Sequence, residues 1–187
     1  MKDMYYEMTI AGCKCRLPLC PISDELNIGA FVIFGDPELT TAAAQALVDR
    51  APTHDVMITA ESKGIPLICE MARMGGEKRY ILARKAPKLY MRNVFVSEVR
   101  SITTDHVQTL CLDGEDAAFM RGKRVLVVDD VISTGESLKA LEKLVEEAGA
   151  TVAGRMAVLA EGDAQERSDI VYLEKLPVFN ADGTIKG

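Results

Sequence analysis

Chemistry in this chain concentrates at Asp129 and Asp130, two adjacent carboxylates between an apolar run and a hydroxylic turn. Val125-Leu126-Val127-Val128 reads as a buried parallel strand that stops at the two acids. Ser133, Thr134, Gly135, Glu136 and Ser137 follow, and Leu138, Leu141, Leu144, Val145 and Ala148 then fall at helical spacing. A strand, a tight loop and a helix N-terminus in that order make an anion site. The N–H groups of the first turn point at one spot, and the helix dipole favours negative charge there. The carboxylates cannot hold an anion, but they can accept hydrogen bonds from sugar hydroxyls. The pairing therefore points to a ligand that carries both a phosphate and a ribose. An ordinary strand-to-helix turn would not need it, because two carboxylates at the end of a buried strand are costly without a partner. The purine-nucleotide loop G-x-x-x-x-G-K-[ST] is excluded, since no lysine stands at its place.

A second anion site is built in the same way. Glu61-Ser62-Lys63-Gly64 lies between the short buried strand Val56–Thr59 and a helix from about Ile65 to Arg73. Alone it would pass for a plain helix cap with one lysine. Further on, Arg84, Lys85, Lys88 and Arg92 make a basic loop in a chain whose net charge is −6. Such a loop is either a solvated surface or a clamp for a strongly anionic group.

The elements that must position these groups alternate. Residues 1–35 are a mixed segment with strand-like runs at Met8–Ile10 and Phe31–Phe34 and turn signals at Pro18, Pro21 and Gly29. Asp36-Pro37-Glu38 opens a helix, with Asp as N-cap and Pro at the first helical position. Strands are expected at Arg79–Ala83, about Val94–Val99, His106–Leu112, Gly122–Asp130, Thr151–Ala160, Ile170–Leu173 and Pro177–Phe179, the last two finishing the sheet. The pair 94–112 is an excursion from the core, the helix after Asp130 ends at Gly149, and Gly162–Ser168 is a polar loop with a short helical turn. This alternation predicts an α/β fold with a doubly wound, mostly parallel sheet over residues 36–187 and a small N-terminal hood over 1–35. No internal repeat or low-complexity tract interrupts it.

Val-Val-Asp-Asp-x-x-Ser-Thr-Gly-x-Ser resembles the phosphoribosyl-pyrophosphate loop of the type I phosphoribosyltransferases. The resemblance covers about residues 23–180 and is to the purine branch, the adenine and xanthine enzymes. It implies that Asp129 and Asp130 hold the ribose, while Ser133, Thr134, Gly135, Glu136 and Ser137 line the 5′-phosphate cradle. Glu61-Ser62-Lys63-Gly64 is similar to the family's pyrophosphate loop, and Ala83-Arg84-Lys85-Ala86-Pro87-Lys88 to its Arg-Lys-x-x-Lys segment. The implied reaction is attack of a purine nitrogen on C1′ through an oxocarbenium-like state, with pyrophosphate leaving. Arg84, Lys85 and Lys88 would stabilise the charge that develops on it. Arg84 and Lys85 thereby join Asp129 and Asp130 as the candidate catalytic set. Mg²⁺ is implied as a cofactor bridging pyrophosphate and ribose oxygens, with no direct protein ligand expected. The stretch 97–106 is the expected lid that excludes water. A homodimer paired near the Lys85–Arg92 loop is implied as well.

Which purine is a separate matter. Ser-Thr-Gly-Glu-Ser leans toward the adenine type, whereas residues 55–112, with Ser-Ile-Thr-Thr in the lid, lean toward the xanthine type. After Leu159-Ala160, where xanthine enzymes place a lysine, this chain has Glu161. An ionised carboxylate is an acceptor only, which suits an exocyclic amine; a surface salt-bridged Glu161 is the alternative. Phe31 and Phe34 could stack on the base from the hood, or be two core residues of an alternating strand. The expectation is purine salvage with adenine favoured. The alternatives are a xanthine or hypoxanthine enzyme, or a non-catalytic sensor of phosphoribosyl pyrophosphate.

Composition narrows the remaining classes. The acidic balance argues against a nucleic-acid partner, and against the recognition surface a sensor would want. There is no run of 18 or more apolar residues to span a membrane, and Met-Lys-Asp-Met-Tyr-Tyr-Glu lacks the apolar core of a signal peptide, so a cytoplasmic protein is expected. Cys13, Cys15 and Cys20 cluster, but neither His54 nor His106 follows at finger spacing. Together with Cys69 and Cys111 they read as thiols rather than a zinc site or a disulfide framework.

Overall fold

In the computed structural model, which describes residues 4–100 and 107–186, five strands make one parallel sheet. They are β4 (Val56–Ala60), β5 (Ile81–Ala83), β8 (Arg124–Ile132), β9 (Thr151–Glu161) and β10 (Val171–Leu176), in the spatial order β10-β9-β8-β4-β5. The chain thus lays β5 on one side of β4 and β8, β9 and β10 on the other. The direction of winding reverses between β4 and β8, and at such a reversal the loops leaving the carboxyl ends of the strands part to form a crevice.

The sheet is covered on both faces, so its central strands are apolar throughout. Leu126 and Val128 of β8 pack with helices α1 (Pro37–Val48) and α2 (Ile65–Gly75). Val125 and Val127 face helices α3 (Gly114–Met120) and α4 (Glu136–Glu147). Helix α1 starts as its sequence dictates: the Asp36 side chain accepts from the Leu39 N–H at 2.9 Å, and Pro37 fills the first position. The excursion is an antiparallel hairpin of β6 (Phe95–Arg100) and β7 (Val107–Leu112) beside α4, where Lys143 Nζ donates to the carbonyl of Glu98 at 2.6 Å. Of the expected lid, Ser97 to Arg100 belong to β6, and residues 101–106 lie outside the described residues.

The hood is a second, antiparallel sheet of order β1-β2-β3-β11, made of β1 (Tyr5–Ile10), β2 (Cys13–Pro21), β3 (Leu26–Gly29) and β11 (Val178–Asn180). Three expectations need correction here. Pro18 and Pro21 are not turn residues but lie in β2, and the turn is Ala11-Gly12, both at positive φ (48° and 85°), as a two-residue hairpin requires. Phe31–Phe34 is not a strand; β3 ends at Gly29, and the chain then crosses irregularly to α1. The last strand does not finish the parallel sheet. It pairs antiparallel with β3, so the hood is built from both ends of the chain. Buried Asn27 secures that closure by donating to the carbonyls of Asn180 (2.9 Å) and Ala181 (3.2 Å).

Candidate active site

Both anion loops leave the sheet at the point of reversal, one from β4 and one from β8. The apolar run does not stop the strand at Asp129. Main-chain pairing with β9 continues to Ile132, so the two carboxylates sit inside the final turns of β8 and are held at 8% and 4% exposure. Burial beside a second acid disfavours the charge of Asp129. Desolvation, and then the neighbouring Asp130 carboxylate, push Asp129 up to about 7. Asp129 Oδ1 accepts the Asp130 N–H at 2.9 Å and the Ser62 hydroxyl at 3.3 Å. Asp130 Oδ2 has Lys63 Nζ 3.1 Å away but accepts no hydrogen bond. A buried carboxylate oxygen with an unused lone pair is what a ribose hydroxyl would meet.

The loop after β4 reaches across this pair. Gly64 packs down on both strands: a Cβ there would lie 2.9 Å from Thr59 Oγ1 of β4 and 3.4 Å from Asp129 Oδ1 of β8. A side chain at this position would have to displace the Thr59 hydroxyl. Thr59 belongs to no motif; among the described residues its buried hydroxyl has no partner. Lys63, expected at pyrophosphate, has its ammonium 3.1 Å from Asp130 Oδ2. Besides Asp130 it meets the hood, donating to the Phe31 carbonyl at 2.5 Å. The Phe31 ring itself is a core residue at 2% exposure, so it presents no face for stacking, whereas Phe34 is 54% exposed.

Glu61 does the opposite of binding an anion: it gathers cations. Its carboxylate accepts the Lys85 N–H at 3.2 Å and lies 3.3 Å from Lys88 Nζ and 3.5 Å from an Arg84 Nη. The Lys85 N–H first, and then the Lys88 and Arg84 charges, hold it below the usual carboxylate range. The Lys85 side chain itself points into solvent. Arg84 is anchored by its main chain, which exchanges two 2.8 Å hydrogen bonds with Cys111, while its buried Nε has no acceptor. The basic loop and the β4 loop are therefore one unit, with cationic groups preassembled at the mouth of the crevice.

On the β8 side, Gly135 takes φ 77° and caps α4, a left-handed conformation that favours glycine. Thr134 and Ser137 are exposed, and Ser133 and Glu136 are half-buried. The Glu136 N–H meets Thr134 Oγ1 at 3.5 Å. Across the crevice Glu161 ends β9, half-buried, with burial raising its carboxyl above the ordinary range and Lys63 opposing the rise. The structure thus brings Asp129, Asp130, Ser62, Lys63, Gly64 and Glu161 around one crevice, with Glu61, Arg84 and Lys88 at its rim. It also adds Arg167, which no motif marks: its Nη1 lies 3.0 Å from where a Gly135 Cβ would be.

Mg²⁺ can be weighed against these side chains. Among the described residues no three of His, Cys, Asp and Glu converge to cage an ion. A magnesium ion carried by phosphate oxygens needs at most one or two carboxylates and keeps its waters, and the crevice fits that form.

Known proteins resemble this chain. The sequence model of the phosphoribosyl transferase domain matches residues 38–182. A hypoxanthine/guanine phosphoribosyltransferase of Methanocella paludicola is 31% identical over 147 residues, covering 78% of this chain and 70% of that protein. An adenine phosphoribosyltransferase of Rubrobacter xylanophilus is 32% identical over 132 residues, covering 70% and 68%. A xanthine phosphoribosyltransferase of Bacillus thuringiensis is 30% identical over 162 residues, covering 82% and 80%. In three dimensions the fold matches adenine phosphoribosyl transferase from Trypanosoma brucei, solved in complex with AMP, pyrophosphate and ribose-5-phosphate. The TM-score is 0.61 at 23% identity, over 76% of this chain and 67% of that one.

Proposed function

This chain belongs to the phosphoribosyl transferase family, and from that premise we propose that it is a purine-salvage enzyme joining a purine base, adenine first, to phosphoribosyl pyrophosphate. Relatives named for adenine, xanthine and hypoxanthine/guanine stand at about the same identity, so the reading of the base rests on the site. The observation that supports it is Glu161, half-buried at the end of β9 and within electrostatic reach of Lys63. A carboxylate there accepts from a 6-amino group and leaves a 6-oxo group unpaired.

The chain's own residues divide the work. Asp129 and Asp130 accept from the ribose hydroxyls and hold C1′ still. The β8 loop from Ser133 to Ser137 takes the 5′-phosphate on N–H groups and hydroxyls. Arg84 and Lys88, aimed by Glu61, face the departing pyrophosphate, whose charge grows as the bond to C1′ breaks. Bound with the substrate, Mg²⁺ supplies further neutralisation of that charge. The exposed Leu89 and Tyr90 beside the basic loop support a homodimer paired there. The five free cysteines suit a reducing cytoplasm, and among the described residues no helix is long and apolar enough to cross a membrane.

The test is pyrophosphate release with Mg²⁺, phosphoribosyl pyrophosphate and each of adenine, hypoxanthine, guanine and xanthine. Adenine should give the highest kcat/KM. Xanthine as best substrate would overturn the reading of Glu161, and binding of phosphoribosyl pyrophosphate with no turnover of any base would put a sensor in its place.

A further inference from the structure

Gly135 is buried at the tip of the β8 loop, and apart from its chain neighbours one heavy atom lies within 4 Å of its Cβ position: Nη1 of Arg167. Arg167 follows the 3-10 turn of residues 162–166 after β9, on the same edge of the sheet as the loop. Its guanidinium is held from the far side. Nε and Nη2 donate to the two oxygens of Asp169 at 2.9 and 2.7 Å, a two-point grip that fixes the plane of the group. Asp169 is braced in turn by Arg155, whose Nε is 3.5 Å from it and which also pairs with Glu142 of α4. The chain of contacts runs from α4 through β9 and back to the N-cap of α4, and within it the charges balance.

Nη1 is left over. Among the described residues it has no hydrogen-bond acceptor and is not fully buried, and it is the guanidinium nitrogen that lies against the loop at Gly135. A guanidinium clamped on one edge and open on the other, beside a turn of main-chain donors, is prepared for an oxyanion. We propose that Arg167 is a further binding residue for the 5′-phosphate, its Nη1 closing the cradle that the main chain of Ser133 to Ser137 begins. The inference rests on the phosphoribosyl reading of this site and adds a cation to a loop that holds none of its own.

Calorimetry of the full chain with ribose 5-phosphate, and separately with pyrophosphate and Mg²⁺, tests it on R167Q, R167K and the brace variant R155Q. R167Q should weaken ribose 5-phosphate by roughly tenfold or more, raise KM for phosphoribosyl pyrophosphate more than it lowers kcat, and leave pyrophosphate affinity unchanged. R167K should recover part of the loss, and R155Q should bind ribose 5-phosphate within about threefold of wild type. Equal losses for R155Q and R167Q, or losses for both ligands in R167Q, would make Arg167 a structural residue and overturn the proposal. Wild-type affinity in R167Q would overturn it too while leaving the enzyme reading intact. A wild-type chain that binds neither ribose 5-phosphate nor phosphoribosyl pyrophosphate would remove the reading beneath it. Should R167Q fail to fold, R167K decides alone: a loss confined to ribose 5-phosphate supports the role, and undiminished affinity for both ligands or equal loss for both overturns it.

Discussion

Lys63 Nζ stands 3.1 Å from Asp130 Oδ2 and donates at the same time to the carbonyl of Phe31. One ammonium thus ties the loop after β4 to the ribose carboxylates of β8 and to the hood, three segments distant in sequence. This cation is the counter-ion of a buried carboxylate.

Replacing Lys63 with Met should therefore act on two quantities. The Asp130 carboxylate loses its counter-ion, and the hood loses a hydrogen bond to the core. Because the Lys63 side chain is 39% exposed, the cost is well below that of breaking a fully buried pair. A loss of about 1–2 kcal/mol in urea unfolding is expected, with kcat/KM for phosphoribosyl pyrophosphate falling by roughly tenfold. Unchanged stability together with tighter substrate binding would show that Lys63 only obstructs the site.

The carboxylate pair predicts a pH dependence with a definite sign. Asp129 keeps its proton up to about 7 in the folded chain, whereas an unfolded chain releases it near 4. Between those values the folded state holds a proton that the unfolded state has lost, so stability falls as pH rises through that window. The melting temperature of the wild type should drop from pH 5 to pH 8, and D129N should flatten the slope and melt higher at pH 8, on the order of 5 °C. The same change removes a charge-assisted bond to the ribose. D129N/D130N should bind phosphoribosyl pyrophosphate at least a hundredfold more weakly by calorimetry, and unchanged affinity would sink the ribose assignment.

Glu61 gathers the Lys85 N–H, Lys88 and Arg84 without touching an anion itself. Glu61→Ala should release the basic loop and lower kcat/KM about tenfold through mispositioned cations. Its carboxylate also repels pyrophosphate, so the opposite result is informative: tighter phosphoribosyl pyrophosphate binding with undiminished kcat would show that Glu61 repels rather than organises.

Why the β8 loop was legible and other parts were not has a physical basis. Val125 to Ser137 combines a strand buried on both faces, two adjacent acids and a helix start, and each leaves a local mark. The β1–β2 hairpin left a fainter one. Its alternation runs through Tyr6, Met8 and Ile10, then Cys13, Cys15 and Leu17, and its turn is Ala11-Gly12 rather than a stronger Asn-Gly pair. Helix α3 leaves little mark in the sequence although Asp113 caps it, because seven residues carry little periodicity. The sheet membership of Val178–Asn180 depends on pairing with residues 26–28, a long-range contact that no local pattern encodes. The same holds for the site: Lys63 and Gly64 were placed by their loop grammar, but the Lys63 ammonium also meets a carbonyl 32 residues away. Arg167 has no motif at all, since its meaning comes from Gly135 beneath it and Asp169 behind it.

The choice of base should follow the side chain at 161. Burial lifts the Glu161 carboxyl above its ordinary range, and the nearby Lys63 limits that rise. In its ionised form the group is an acceptor only, complementary to an amine. Glu161→Lys reverses the hydrogen-bonding sense at one point while leaving the ribose and phosphate contacts intact. It should lower kcat/KM for adenine and raise it for hypoxanthine or xanthine, moving their ratio by roughly a hundredfold, because a mismatched edge leaves a buried polar group unpaired. Glu161→Gln, which can donate as well as accept, should fall between. The measurement is kcat/KM for the three bases on wild type and both variants. If E161K changes all three equally, the residue shapes the crevice without reading the base, and specificity belongs to the hood.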